Sequence, residues 1–144
     1  MSQQNGNEGD FVNIKKSSEI SFIATPEKDP NWFSIELSDK TNPSKPFLTI
    51  KVCYNQDGYK NTVILTSSSG SPTFIGDNFL FGKNQFTLKI TFDNLSYFIK
   101  VDERPLGKIA LNNVDVEKIT HYKVMGNVTG IKTNVNEQPH ISAK

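Results

Sequence analysis

The chain is predicted to fold as an all-β sandwich of two antiparallel sheets, and three observations carry that prediction. Apolar residues recur with a period of two over many short runs, and no convincing amphipathic helix competes with them. Phenylalanine supplies 10 of the aromatic side chains, against 4 tyrosines and 1 tryptophan, which favours strands and dense packing between sheets. Turn-forming Asp, Asn, Gly and Pro separate the runs at short intervals. At 144 residues the chain suits one domain with a real core better than two small ones.

Residues 1–10 are polar and rich in Gly, Asn and Gln, and read as a disordered N-terminal tail. The sandwich is expected over 11–135, with 136–144 a second tail. Phe11–Ile14 reads as a short strand, and Ile20–Ile23 opens another. Thr25–Pro30 is a turn by composition. In Trp32–Leu37, Phe33, Ile35 and Leu37 form the core face, and Trp32, Ser34 and Glu36 the opposite one. Leu48, Ile50, Val52 and Tyr54 repeat the pattern, Asp57-Gly58 turns the chain, and Val63 and Leu65 return. After the small-residue loop Ser67–Pro72, Phe86, Leu88, Ile90 and Phe92 alternate with Thr87, Lys89 and Thr91. A short polar link leads to Tyr97, Ile99 and Val101, completing the hairpin at the centre of the domain. Arg104–Gly107 carries turn chemistry, Asn112–Lys118 a loop or helical turn, and Ile119–Ile131 one strand with a glycine at its middle.

Composition excludes several classes of function. A net charge of +1 gives no field that draws nucleic acid, and Arg104 is the only arginine, so bidentate phosphate clamps are scarce. The single cysteine, Cys53, forbids an intrachain disulfide and a zinc site of several thiolates, and no cofactor is expected. No stretch approaches the roughly 20 apolar residues of a membrane helix, so no membrane insertion is expected. Met1 is followed by SQQNGNEGD, which lacks the basic flank and apolar run of a secretory signal. A cytoplasmic protein is expected; export without a signal peptide would leave no trace in the sequence.

The order of features from about Ile20 to Ile131 resembles the galectin carbohydrate-recognition domain, a concanavalin-type jelly roll. The matching positions are the strand Trp32–Leu37, the hairpin Phe47–Thr66, the entry Phe79–Phe86, the pair ending at Glu103, and Ile119–Val128 with Gly126-Asn127 where the family has Gly-Asp. The resemblance implies a non-catalytic lectin. The family's galactoside signature is missing: Lys51, Cys53 and Asn55 stand at its His, Asn and Arg, Thr66 at the second Asn, and SSSGSPTF offers no stacking Trp, Glu or Arg. Lactose is therefore not expected to bind in the usual geometry.

Alternation nevertheless puts Trp32, Ser34, Glu36, Thr49, Lys51, Asn55, Thr62 and Thr66 on one open face. An aromatic plane under the C–H face of a sugar ring, with amides, hydroxyls and charges for its hydroxyls, is the chemistry a glycan needs. Trp32 is the candidate plane, and Glu36 and Lys51 the charged partners, unless those two simply pair with each other. The expected partner is a glycan or glycoprotein; the alternative is a sandwich that has lost sugar binding and engages another protein through the same face. Catalysis has weak support, because Glu36 has no acidic partner two or four residues on and Cys53 with His121 is an isolated pairing. Two further expectations are a Cys53 thiol open to reagents on the same face, and a homodimer through edge strands near Phe11 and Ile131.

Overall fold

Each strand must decide which of its two rows of side chains faces inward, and in the central strands the apolar row does. The computed structural model describes residues 3–5, 7–68, 70–76 and 79–137. In chain order the strands are β1 (Gln3–Asn5), β2 (Glu8–Asp10), β3 (Ser18–Pro26), β4 (Trp32–Ser38), β5 (Leu48–Gln56), β6 (Tyr59–Ser67) and β7 (Thr73–Gly76), then β8 (Phe86–Phe92), β9 (Ser96–Val101), β10 (Arg104–Ala110), β11 (His121–Gly126) and β12 (Val128–Glu137). Short 3-10 turns occupy Phe79–Gly82 and Val116–Lys118. One antiparallel sheet runs β1-β12-β3-β8-β9-β10; the second runs β2-β11-β4-β5-β6-β7. The jelly-roll sandwich expected from the sequence is the fold observed.

Between the sheets, Phe22, Leu88, Ile90 and Val101 of the first meet Phe33, Ile35, Leu37, Ile50, Val52, Val63 and Leu65 of the second, all at 0% exposure. Phe33 stacks on Phe86 across the gap, ring centres 5.9 Å apart, and Phe22 meets Tyr122 edge-on at 5.5 Å. The β5–β6 turn is Asp57-Gly58, both at positive φ (53° and 83°), the two-residue geometry that suits the right-handed twist of a hairpin. At the β8–β9 turn, the Asp93 carboxylate accepts from the amides of Leu95 and Ser96, each at 2.7 Å.

Several expectations are corrected. Residues 3–5 and 8–10 of the expected tail are strands β1 and β2, paired to β12 and β11. Backbone hydrogen bonding to a sheet edge holds them, and that needs no apolar pattern. At β2 the side chains help: His121 lies 2.9 Å from a Glu8 carboxylate oxygen and 3.1 Å from one of Asp10. Phe11–Ile14 is buried at both ends but not a strand, because Asn13 turns into the left-handed region (φ 59°). The turn expected at Arg104–Gly107 falls earlier, at Asp102-Glu103 (φ 49° and 68°), and Arg104 begins β10. The Asp102 carboxylate accepts from the Thr87 amide at 2.8 Å and faces Lys83 at 2.9 Å; that amide first, and then the ammonium, hold it below the ordinary carboxylate range. Pro105 is tolerated because β10 is an edge. β12 extends to Glu137, past the expected start of the C-terminal tail; 138–144, including His140, lie outside the described residues.

The largest correction concerns Ile119–Ile131. It is two strands in different sheets, β11 and β12, and the chain crosses at Gly126-Asn127. Ile131 therefore sits inside the first sheet, between β1 and β3, and the borders at that end are β1 and β2. Gly126 has φ +98°, and a Cβ there would lie 2.5 Å from the Trp32 carbonyl oxygen and 2.7 Å from the Phe33 Cα. At the other border, β10 packs over β7, where a Cβ on Gly107 would meet the Ile75 Cδ1 at 2.5 Å. Gly126→Ala combines a strained φ with a backbone clash and is expected to cost about 3 kcal/mol. Urea denaturation measures it, and a loss below about 1 kcal/mol would show that the crossing relaxes freely.

Candidate functional site

The outer face of the second sheet is built by register. Across its central strands, Trp32 stands opposite Cys53 and then Thr62; Ser34 opposite Lys51, Ile64 and Phe74; Glu36 opposite Thr49 and Thr66; Asn55 opposite Lys60. Cross-strand partners point to the same side, so the eight residues named from the sequence share one face. They differ in accessibility. Asn55 is exposed, and Trp32, Glu36, Thr49, Lys51, Thr62 and Thr66 are partly exposed. Ser34 is only 3% exposed, between Lys51 and Met125 of the flanking strands, and offers a ligand almost no surface.

Trp32 is held by the crossing that carries the chain between sheets. Its carbonyl accepts from the Asn127 amide at 2.8 Å, and the Asn127 side-chain oxygen accepts from the amides of Asn31 at 3.0 Å and Trp32 at 3.4 Å. The indole lies over Gly126, with its Cε3 3.1 Å from where a Cβ would be. The Lys51 ammonium sits 5.2 Å from the indole centre, a cation–π contact worth about 0.5–1 kcal/mol at an exposed site. Lys51 also reaches Asp57 at 3.8 Å rather than pairing with Glu36. The result is an aromatic plane with a cation at its edge and carboxylate, hydroxyl and amide groups around it.

Two residues of this face escaped sequence reasoning. Phe74 on β7 and Tyr59 at the start of β6 stack at 5.4 Å with ring planes 25° apart, and they are 50% and 40% exposed. Phe74 is opposite Ile64 and so faces outward; Asn61, at φ 50°, interrupts the alternation that would otherwise send Tyr59 inward with Val63. The signal was weak, because Phe74 follows a loop and Tyr59 a turn, and neither belongs to a clean run of alternating residues.

Cys53 and His121 do not form a nucleophile and base. Cys53 is in register with Trp32 and His121 with Ser38, six residues away along β4, or about 20 Å at strand rise. The expected open thiol is also corrected. Cys53 does point outward, yet it is 1% exposed, because a short side chain in register with Trp32 and Thr62 stands beside the much larger indole. Burial pushes the thiol up from its ordinary value, with Lys51 opposing. Burial is the larger influence, so the thiolate is suppressed on balance. An aromatic disulfide reagent at neutral pH is expected to react with the folded protein at least about tenfold more slowly than with the urea-unfolded chain. Equal rates would show that the tryptophan does not cover the thiol.

No family model matches the chain, and no curated protein matches it. Solved structures do. An ancestral congerin superposes with a TM-score of 0.79 at 16% identity, over 91% of this chain and 100% of the other. Galectin-Ib of Xenopus laevis gives 0.76 at 14%, over 92% and 100%. Congerin II with lactose and MES bound gives 0.70 at 11%, over 94% and 98%. At such identities the likeness is one of architecture: the chain has the galectin jelly-roll fold.

Proposed function

We propose that the protein is a non-catalytic lectin that binds a glycan on the outer face of β4–β7, without the family's usual galactoside residues. The observation that carries this reading is the pair of aromatic platforms on one polar sheet face. Trp32 lies beside the Lys51 ammonium at one side, and the half-exposed Tyr59–Phe74 stack lies at the other. Exposed aromatic planes ringed by Glu36, Thr49, Asn55, Thr62 and Thr66 match what a sugar presents, C–H faces bordered by hydroxyls. One solved neighbour, congerin II, holds lactose; in this chain Lys51, Cys53, Asn55 and Thr66 argue for a different glycan. A glycoprotein is the natural carrier, and nucleic acid is not a partner at a net charge of +1. A lone, buried thiol suits the cytoplasm, and among the described residues no helix is long and apolar enough to cross a membrane.

A second reading takes the same face as a protein-docking surface, favoured by the Tyr59–Phe74 patch beside the edge strand β7. A glycan array separates the two. Defined hits, a change in Trp32 fluorescence on adding the hit, and losses of about 1–2 kcal/mol for Trp32→Ala and for Phe74→Ala are expected for the lectin. A folded protein silent on the array sinks it in favour of protein docking. The homodimer is proposed through the short border strands β1 and β2. Light scattering should give twice the chain mass at high micromolar concentration, and a monomer there would exclude it.

A further inference from the structure

The outside of the first sheet carries a hollow that has no part in the face described above. Thr91, Phe98, Ile99, Lys100, Pro105 and Lys108 line a depression of about 430 Å³, with Gly107 completing it. That volume lies within the range of about 300–1,000 Å³ typical of small-molecule sites. Its cause is local. The β9–β10 ladder steps from Pro105 opposite Lys100 to Gly107 opposite Ile99, so Leu106 is an extra residue and β10 bends there.

The chemistry of the lining is mainly apolar, with two ammonium groups. Lys108 is the register partner of Phe98, and its ammonium stands 6.0 Å from the ring centre. Among the described residues it has no ion pair. Lys100 lies two residues along β9 and is only loosely held, 3.6 Å from Glu103, a carboxylate that also engages Lys89. Thr91 adds one hydroxyl. So sparse a set of hydrogen-bonding groups does not suit a sugar, which would have most of its hydroxyls unpartnered. It does suit a flat apolar body with a single negative charge.

We infer that this hollow binds a small organic anion, its apolar body on Phe98 and Pro105 and its carboxylate or sulfonate between Lys100 and Lys108. The site is independent of the glycan face. The test uses the full chain, labelled with nitrogen-15, titrated with 2-naphthoate and separately with the neutral 2-naphthamide. Saturable shifts confined to amides of residues 91, 98–100 and 106–108 are expected. The amide and the Lys108→Met variant, which keeps an apolar stem, should each bind about tenfold more weakly, the scale of a hydrogen bond to a charged group. Glu103→Gln, which frees Lys100, should tighten binding by roughly two- to fivefold. Equal binding of the neutral amide, undiminished binding by Lys108→Met, shifts centred on β4–β7, or no saturation would each overturn the inference.

Discussion

Face selection on β4, β5 and β6 is the constraint on which the rest of the molecule depends. Eight side chains of these strands, from Phe33 through Leu65, are sealed against the first sheet at no more than 1% exposure. A slip of one residue in any of the three would turn its whole apolar set to solvent and, on β4 or β5, pull Trp32 or Lys51 inward. Burial of an aliphatic or aromatic side chain is worth about 1.5–3 kcal/mol, so the penalty for a slip is several times what any contact on the outer face contributes. The candidate site is thus positioned by forces that act on its opposite side. The polar residues of the outer face can vary without loosening the scaffold, which is how a sandwich keeps its shape while changing its ligand.

That separation also governs what could be read from the residues alone. Strands with one buried face and one wet face announce themselves by alternation, and β4, β5, β6, β8 and β9 are all legible for that reason. Strands held mainly by backbone pairing at a border are not, which is why β1 and β2 looked like a tail. The break at Gly126 was legible as a glycine but not as a change of sheet, because apolar residues continue on both sides of it. On the outer face the side of each residue was readable and its accessibility was not. Ser34 and Cys53 have the parity of a ligand-facing residue, but their side chains are shorter than those beside them. Tyr59 shows the converse: one left-handed residue, Asn61, is enough to defeat parity and leave an aromatic ring outside.

The crossing at Gly126-Asn127 couples the two levels of organisation. It carries the chain from the second sheet to the first, and the same two residues fix the backbone of Trp32 and floor its ring. The residue that a jelly roll needs for topology therefore also sets the height and tilt of an aromatic plane on the outer face. Glu27 joins this arrangement, its amide bonded to the Asn127 carbonyl at 3.0 Å and its carboxylate to the Asn127 side chain at 3.3 Å. The β3–β4 connection, although exposed, is tied to the scaffold and not free to vary like an ordinary loop.

The pairing of β1 with β12 places Gln3 beside Asn134 at one border of the sandwich, while the stacked aromatics of β6 and β7 lie toward the other. Polypeptide leaving either strand starts away from the sheet face that ends at β7. Two such modules joined in tandem, through either strand, would keep both faces clear. Linkage of that kind converts weak single-site binding into avidity through a raised effective concentration, with no new contact required. If the outer face binds as proposed, linkage at that border would let valency add to the affinity of one face.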